Sequence, residues 1–398
     1  MKVAMCPCIV ITYPFPLGRA TGGARLTREI ARHLGKAGAE VIILPVSASP
    51  LSRYPRPKVA DKFLGFEFDE DLSQYSVDIV RVPQHPLHWR FDGLAVKNAL
   101  RKTLKERHVK IVLSFFNEAP APAFLRSRGV KFGYIAIWQS YAIVLTQYSR
   151  LGRVRKLVWK WANDRYIIRP HKQADVLFAI SHFTRQELMD VIGVEGERIT
   201  VCHLGVDSIF TKISRPRPVE ITQFIYFTRI VPLKGILDAI EALGMLAAKG
   251  LKNWNLRVLG LGNHEMVRKA AREHGIGHKV VVCDPVNDER LRRELQQAHL
   301  AIMPSHAESF GLALAEAQAA GIPVVSYDVG SVPEVVENGV TGWLAPLHRV
   351  DRLAQCIEEA IWHPETTYRA GLAGRERVKQ MFTWEKTAAT ILEGIKKL

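Results

Sequence analysis

The chain has 398 residues, with 55 Lys or Arg against 39 Asp or Glu and a formal net charge of +16. That length and its 47% hydrophobic content suit two ordinary domains. No apolar run approaches the roughly 20 residues of a membrane span. The five cysteines are odd in number and match neither a zinc nor a redox motif: Cys6-Pro7-Cys8 has one residue between its thiols, not two.

The charge is uneven. Residues 1–205 hold 31 Lys+Arg and 17 Asp+Glu, a net of +14, whereas residues 206–398 hold 24 and 22, a net of +2. The basic half asks for an anionic partner, and membrane lipid, nucleic acid and an acidic acceptor all stay open. No helix-turn-helix, zinc or RNA-reading motif accompanies the charge, so nucleic acid is not the expected partner.

In chain order, Val3 to Phe15 is apolar behind Lys2. Pro7 and Pro14 break the run and no small-residue cleavage site follows, so it reads as a first buried strand, Val3–Ile11, of a cytoplasmic protein. Gly22-Gly23 opens a helix reaching about Leu34. Further strands are expected at Val41–Leu44, Ile79–Val82, Ile111–Phe115, Gly133–Ile137, Val176–Ile180 and Ile199–His203. Asp69-Glu70-Asp71 follows the mixed alternation Phe66-Glu67-Phe68, so it reads as a solvated acidic cluster and not a metal-binding D-x-D. Between Ser149 and Arg169 the chain is basic and aromatic, with Leu151, Val154, Val158 and Trp161 on one helical face. Two readings stay open there: a helix lying on an anionic bilayer, and a helix covering the domain core.

Arg215-Pro216-Arg217-Pro218 marks a linker over 208–222 between a first domain, 1–207, and a second, 223–383. The alternation restarts at Phe224–Phe227, Leu256–Leu259, Val280–Cys283, Leu300–Met303 and Val324–Ser326. Arg229 and Lys234 follow the first of these strands and precede a helix, a natural seat for a diphosphate. Gly260-Leu261-Gly262 lacks the third glycine of a dinucleotide fingerprint, because Glu265 stands there, and is read as structural. Thr383-Trp384-Glu385 starts a last amphipathic helix, about 384–398.

The most informative stretch is Pro304-Ser305-His306-Ala307-Glu308-Ser309-Phe310-Gly311-Leu312-Ala313-Leu314-Ala315-Glu316. The apolar run His299–Met303 ends at Pro304, and Leu312, Ala315 and Ala319 then repeat at helical spacing until Gly321-Ile322-Pro323. Gly311 therefore lies where a strand feeds a helix, and free backbone N–H groups there can receive a phosphate. Glu308 stands before that anion site and Glu316 inside the helix, both apt acceptors for hydroxyl hydrogens.

With Pro323-Val324-Val325, Gly330, Pro333-Glu334-Val335-Val336 and Asn338-Gly339-Val340-Thr341-Gly342, the stretch Ala301–Pro346 resembles family 4 of the retaining glycosyltransferases (glycosyl transferases group 1). The resemblance implies an α/β GT-B fold: two Rossmann-like, doubly wound domains facing across a cleft, the last helix packing back on the first domain. It implies an enzyme moving a sugar from a UDP- or GDP-type donor to an acceptor. The solvated reading of Asp69-Glu70-Asp71 makes it metal-independent and without cofactor, and the basic charge with the Ser149–Arg169 segment favours a glycan or lipid-linked acceptor in envelope glycan or glycolipid synthesis. Carried over, Glu308 contacts the donor sugar and Glu316 its ribose, while Arg229 and Lys234 hold the leaving diphosphate. Backbone around Ser309, Phe310, Gly311 and Leu312, and Gly22-Gly23 from the first domain, approach the phosphates. The expected catalytic set is Arg229, Lys234 and Glu308.

The resemblance fails in the first domain. Where family members often have a histidine after a strand like Gly133–Ile137, this chain has Trp138 and Gln139, and Ser114-Phe115-Phe116-Asn117-Glu118 lacks another. Gln139, Asn117 and Glu118 are the candidate substitutes; His85, His88, His171 and His182 do not match the position. The alternative is thus a non-catalytic relative that binds nucleotide sugar or membrane. A nicotinamide oxidoreductase is weaker, for want of the glycine fingerprint.

Overall fold

The structure is a computed structural model that describes residues 7–13, 22–47, 72–80, 82–83, 92–107, 109, 111–115, 120–125, 129–137, 140–146, 153–214, 220, 222–283 and 288–398. Asp69-Glu70-Asp71, His85, His88, Asn117, Glu118, Trp138, Gln139, Ser149 and the linker residues Arg215 to Pro218 lie outside the described residues. The chain forms two compact units, Met1–His203 with Trp384–Leu398, and Leu204–Thr383.

In the first unit, β1 (Cys8–Tyr13), β2 (Glu40–Ser47), β3 (Val77–Ile79), β5 (Ile111–Ser114), β6 (Lys131–Ala136), β7 (Val176–Ala179) and β8 (Ile199–Val201) form a parallel sheet in the order β3-β2-β1-β5-β6-β7-β8. The two-residue strand β4 (Val82–Pro83) pairs with β2. A parallel sheet is covered on both faces, so its strands are apolar without alternation. Ile9, Val10 and Ile11 are accordingly 0% exposed, and all four residues of β7 are buried. Val3 to Cys6 of the expected first strand lie outside the described residues; Pro7, which has no N–H to give, precedes β1, and its carbonyl accepts from Glu40 N–H at the sheet's end. The expected strand Ile79–Val82 is instead divided between β3 and β4 on an edge where Ile79 and Val80 stay exposed.

The last helix, Trp384–Lys396, belongs to this unit and packs on the helix Gly22–Lys36. Trp384 stacks on His33 with ring centroids 6.4 Å apart, and Thr387 Oγ1 donates to the His203 carbonyl at 2.8 Å. The division between units falls at His203–Leu204, before the segment 208–222 that composition marks as a linker. Residues in and just before that segment are bound to the second unit: Val206 N–H donates to the Phe382 carbonyl, and Arg375 donates to that of Ile213. Proline and charge reveal exposure, but not these bonds.

The second unit holds β9 (Gln223–Phe227), β10 (Asn255–Leu259), β11 (Val280–Cys283), β12 (Leu300–Ile302), β13 (Val324–Asp328) and β14 (Gly342–Pro346) in the parallel order β11-β10-β9-β12-β13-β14. Strand order reverses between β9 and β12, and ligands of open α/β sheets gather beyond the carboxyl ends at such a point.

The basic segment contains the helix Arg153–Asn163, a single π turn at Asp164–Ile168 and the helix Arg169–Gln173. Each π turn adds a residue, so one helical face cannot be extrapolated through the whole segment. Ile167 is buried, whereas Leu157, Val158 and Trp161 are 68%, 49% and 59% exposed. Among the described residues, no helix is long and apolar enough to cross a membrane.

Candidate active site

The loops after β9 and β12 meet at the switch point of the second sheet. After β9, Val231 leads into the short turn Pro232–Lys234, which delivers Lys234 inward. After β12, Pro304 and Ser305 bring Glu308 to it. Lys234 Nζ donates to Glu308 Oε1 at 2.6 Å, with side chains only 9% and 13% exposed. A buried ammonium requires such a counter-charge. Ser305 Oγ also donates to Oε1, at 2.9 Å. Among the described residues both bonds fall on that oxygen, which leaves Oε2 to accept a ligand hydroxyl. Lys234 has three N–H donors, so it can hold a phosphate oxygen without releasing Glu308.

Tyr226, buried in β9, braces the first loop: its hydroxyl donates to the carbonyls of Arg229 (3.0 Å) and Lys234 (3.2 Å). Burial raises its pKa, the nearby Glu308 carboxylate adds to the rise and Arg229 opposes it, so the phenol stays a neutral donor. Gly260-Leu261-Gly262 braces the same loop from outside, since Ile230 N–H donates to the Leu261 carbonyl and Ile230 bridges Gly262. Arg229 itself is exposed. The two cations expected to act alike thus differ: Lys234 is fixed in an ion pair, and Arg229 shares the loop with its charge at the surface.

Gly311 caps the helix Leu312–Ala319 at φ 86° and ψ 50°, a left-handed conformation that L side chains rarely adopt, as the strand-to-helix reading requires. The N–H groups of Leu314 and Ala315 bond back to the Gly311 carbonyl. Helical geometry leaves those of Leu312 and Ala313 to face an anion. Phe310 does not offer its side chain: it is 2% exposed and packs edge-on against Phe382 at 5.4 Å. Ser309 and Leu312 are half-buried, so this turn offers mainly backbone, while Glu316 is 7% exposed in the second helical turn.

Gly330 has a mechanical reason that its place in a motif does not reveal. A Cβ there would lie 2.3 Å from the Glu308 carbonyl oxygen, to which Ser331 N–H donates at 3.2 Å. The turn after β13 thereby clamps the Glu308 backbone. Gly22 and Gly23 lie in the other unit, opening the helix after its interior strand β1.

Two parallel sheets of this topology, an anion-ready helix start and a buried Lys–Glu pair at the switch point define an α/β protein of the GT-B class. Family models agree on each half: "Glycosyltransferase Family 4" matches residues 20–209 and "Glycosyl transferases group 1" matches residues 210–377. The chain belongs to the family 4 type of glycosyltransferases. It is similar to a D-inositol 3-phosphate glycosyltransferase of Mycolicibacterium smegmatis, 32% identical over 230 residues, which are 55% of this chain and 52% of that protein. The chain spans about half the length of the curated relatives it matches. Its fold is that of a sucrose-phosphate synthase of Thermosynechococcus elongatus (TM-score 0.77, 18% identity, 98% of each chain covered). It is also that of Anabaena HepE in complex with UDP and glucose (TM-score 0.70, 18% identity, 98% and 100% covered).

Proposed function

We propose that this protein is a retaining glycosyltransferase that moves a sugar from a UDP- or GDP-type nucleotide sugar to a glycan or lipid-linked acceptor. The observation that carries the reading is the 2.6 Å Lys234–Glu308 pair beside the Gly311-capped helix. One locus then offers a cation and backbone N–H groups for a diphosphate, and a carboxylate oxygen for sugar hydroxyls. The family membership and the UDP and glucose bound by the Anabaena neighbour support the same reading.

In the proposed reaction the donor's diphosphate sits against Lys234 and the N–H groups of Leu312 and Ala313, with Arg229 approaching from the exposed side. As the bond from sugar to phosphate breaks, negative charge accumulates on the leaving oxygen, where these donors stabilise it most. Glu308 Oε2 orients the sugar, and Glu316 accepts from the ribose. The leaving phosphate takes the acceptor hydroxyl's proton on the same face, which retains the anomeric configuration and requires no protein base. That economy fits a chain without the histidine its relatives often have, and no metal is needed.

The helix Arg153–Asn163 supports an acceptor at a membrane. Leu157 and Trp161 stand mostly exposed beside Lys156 and Lys160, a combination that costs solvation in water and is relieved at an anionic bilayer surface. We place the enzyme on the cytoplasmic face, in envelope glycan or glycolipid synthesis. Incubation with a panel of UDP- and GDP-sugars, with sugar transfer or donor hydrolysis measured, tests the reading. Turnover of at least one donor is expected; donor binding without any turnover would favour the non-catalytic alternative.

A further inference from the structure

A second constellation of the same unit takes no part in the proposed transfer. Asp238 lies in the first turn of the helix Ile236–Ala248, His306 follows β12, and His348 follows β14. One ligand atom from each lies within 4.8 Å of the others. His306 Nε2 is 3.1 Å from Asp238 Oδ2, and the His306 and His348 rings meet edge to face with centroids 4.6 Å apart. Tyr327, at the end of β13, donates its hydroxyl to the same Asp238 oxygen at 2.8 Å.

We infer that Asp238, His306 and His348 bind a divalent transition-metal ion of the zinc class. Two imidazoles and one carboxylate are a donor set suited to that ion, and magnesium or calcium would ask for more oxygens. The His306–Asp238 contact could serve as an ordinary hydrogen bond, but it does not explain His348. That residue holds a left-handed backbone at φ 62°, unusual for a residue with a side chain, and turns its ring onto the pair. The ion replaces the proton that His306 and Asp238 share, which requires His306 to carry its remaining proton on Nδ1. Tyr327 then acts as a positioning residue, holding the Asp238 carboxylate by the bond already present. Exposure of His348 leaves a fourth position for water.

The ion joins three segments that flank the donor loops. Asp238 stands four residues beyond Lys234, His306 two residues before Glu308, and His306 N–H already donates to the Leu233 carbonyl. Its role is to fasten these loops, and the transfer reaction is not routed through it.

The test uses the full chain stripped with chelator and dialysed, titrated with Zn²⁺ in competition with a chromogenic chelator and with Co²⁺ followed by visible absorption. The wild type is expected to take up Co²⁺ with ligand-field bands of nitrogen and oxygen coordination. His306→Gln and His348→Gln should each lose those bands and bind Zn²⁺ at least tenfold more weakly. Tyr327→Phe should keep the bands and weaken binding about 10- to 100-fold, the usual effect of a lost supporting contact. His348 is exposed, so its variant reports even if His306→Gln does not fold; circular dichroism of the metal-free proteins checks this. Absence of such bands in the wild type, or equal Zn²⁺ affinity in wild type and His348→Gln, overturns the proposal.

Discussion

The two units differ in how much charge they carry. The second, near neutral over residues 206–398, turns an ammonium and a carboxylate inward and pairs them beyond the carboxyl ends of its strands. The first, at +14 over residues 1–205, carries the surplus of cations; it pairs Arg32 with the buried Glu29 at 2.8 Å and also buries a neutral polar network. In that network His171, fully buried, uses Nδ1–H to donate to the Ile167 carbonyl, so its Nε2 accepts from the Tyr141 hydroxyl at 2.8 Å. A buried charge must be matched from within the fold, whereas an exposed surplus is matched by something brought from outside. On the proposed reading, the second unit meets the small anionic donor and the surplus of the first meets an anionic surface.

The comparison breaks most sharply at Lys234. Glu308→Ala would leave its buried ammonium without a partner, a loss of about 3–5 kcal/mol that denaturant unfolding would read. The double substitution Lys234→Met with Glu308→Leu removes both charges and should restore most of that stability while abolishing turnover. Recovery of activity with stability would show that the pair only holds the fold together.

Next in size is the acid response of the first unit. Burial holds His171 down to about 4 in the fold, against about 6.5 in an unfolded chain. Between those values the unfolded state binds one more proton, so stability falls as pH falls, by about 1.4 kcal/mol per unit and roughly 3 kcal/mol in all. Above pH 6.5 this group contributes no pH dependence. Melting curves of wild type and His171→Gln between pH 4 and 8 should therefore converge toward the acid end. Parallel curves would mean that another group governs the acid limb.

Glu308→Gln keeps the shape and a hydrogen-bond acceptor but loses the charge. It is expected to lower kcat/KM roughly 10- to 150-fold, the equivalent of about 1.5–3 kcal/mol for a charged hydrogen bond. The smallest effect belongs to the surface. Lys156→Gln and Lys160→Gln should each weaken binding to phosphatidylserine-containing vesicles by about 1 kcal/mol, with wild-type binding falling as salt rises. Wild type that ignores such vesicles at physiological salt would remove the membrane from the account.

Much of this was legible in the sequence because it is local. The strand-to-helix turn at Gly311 follows from an apolar run, a glycine and helical spacing within about twenty residues. The apolar strands likewise announced two parallel sheets. What stayed hidden is what the folded chain brings together: the Lys234–Glu308 bond joins residues 74 apart, and Gly330 clamps Glu308 from the neighbouring strand's turn. Tyr226 lies within a strand whose periodicity marks burial but not the two carbonyls its hydroxyl reaches. His306 and His348 lie far apart in the chain, and only the sheet order sets their loops side by side. Strand order, which sequence periodicity does not encode, is the missing quantity for the long-range contacts, and loop conformation for Tyr226.

The most direct measurement is calorimetric titration of UDP- and GDP-sugars into wild type and into the folded Lys234→Met/Glu308→Leu protein. The account predicts saturable binding of at least one donor to wild type, and loss of that binding in the double variant while its unfolding transition persists. Equal donor affinity in both proteins would contradict it.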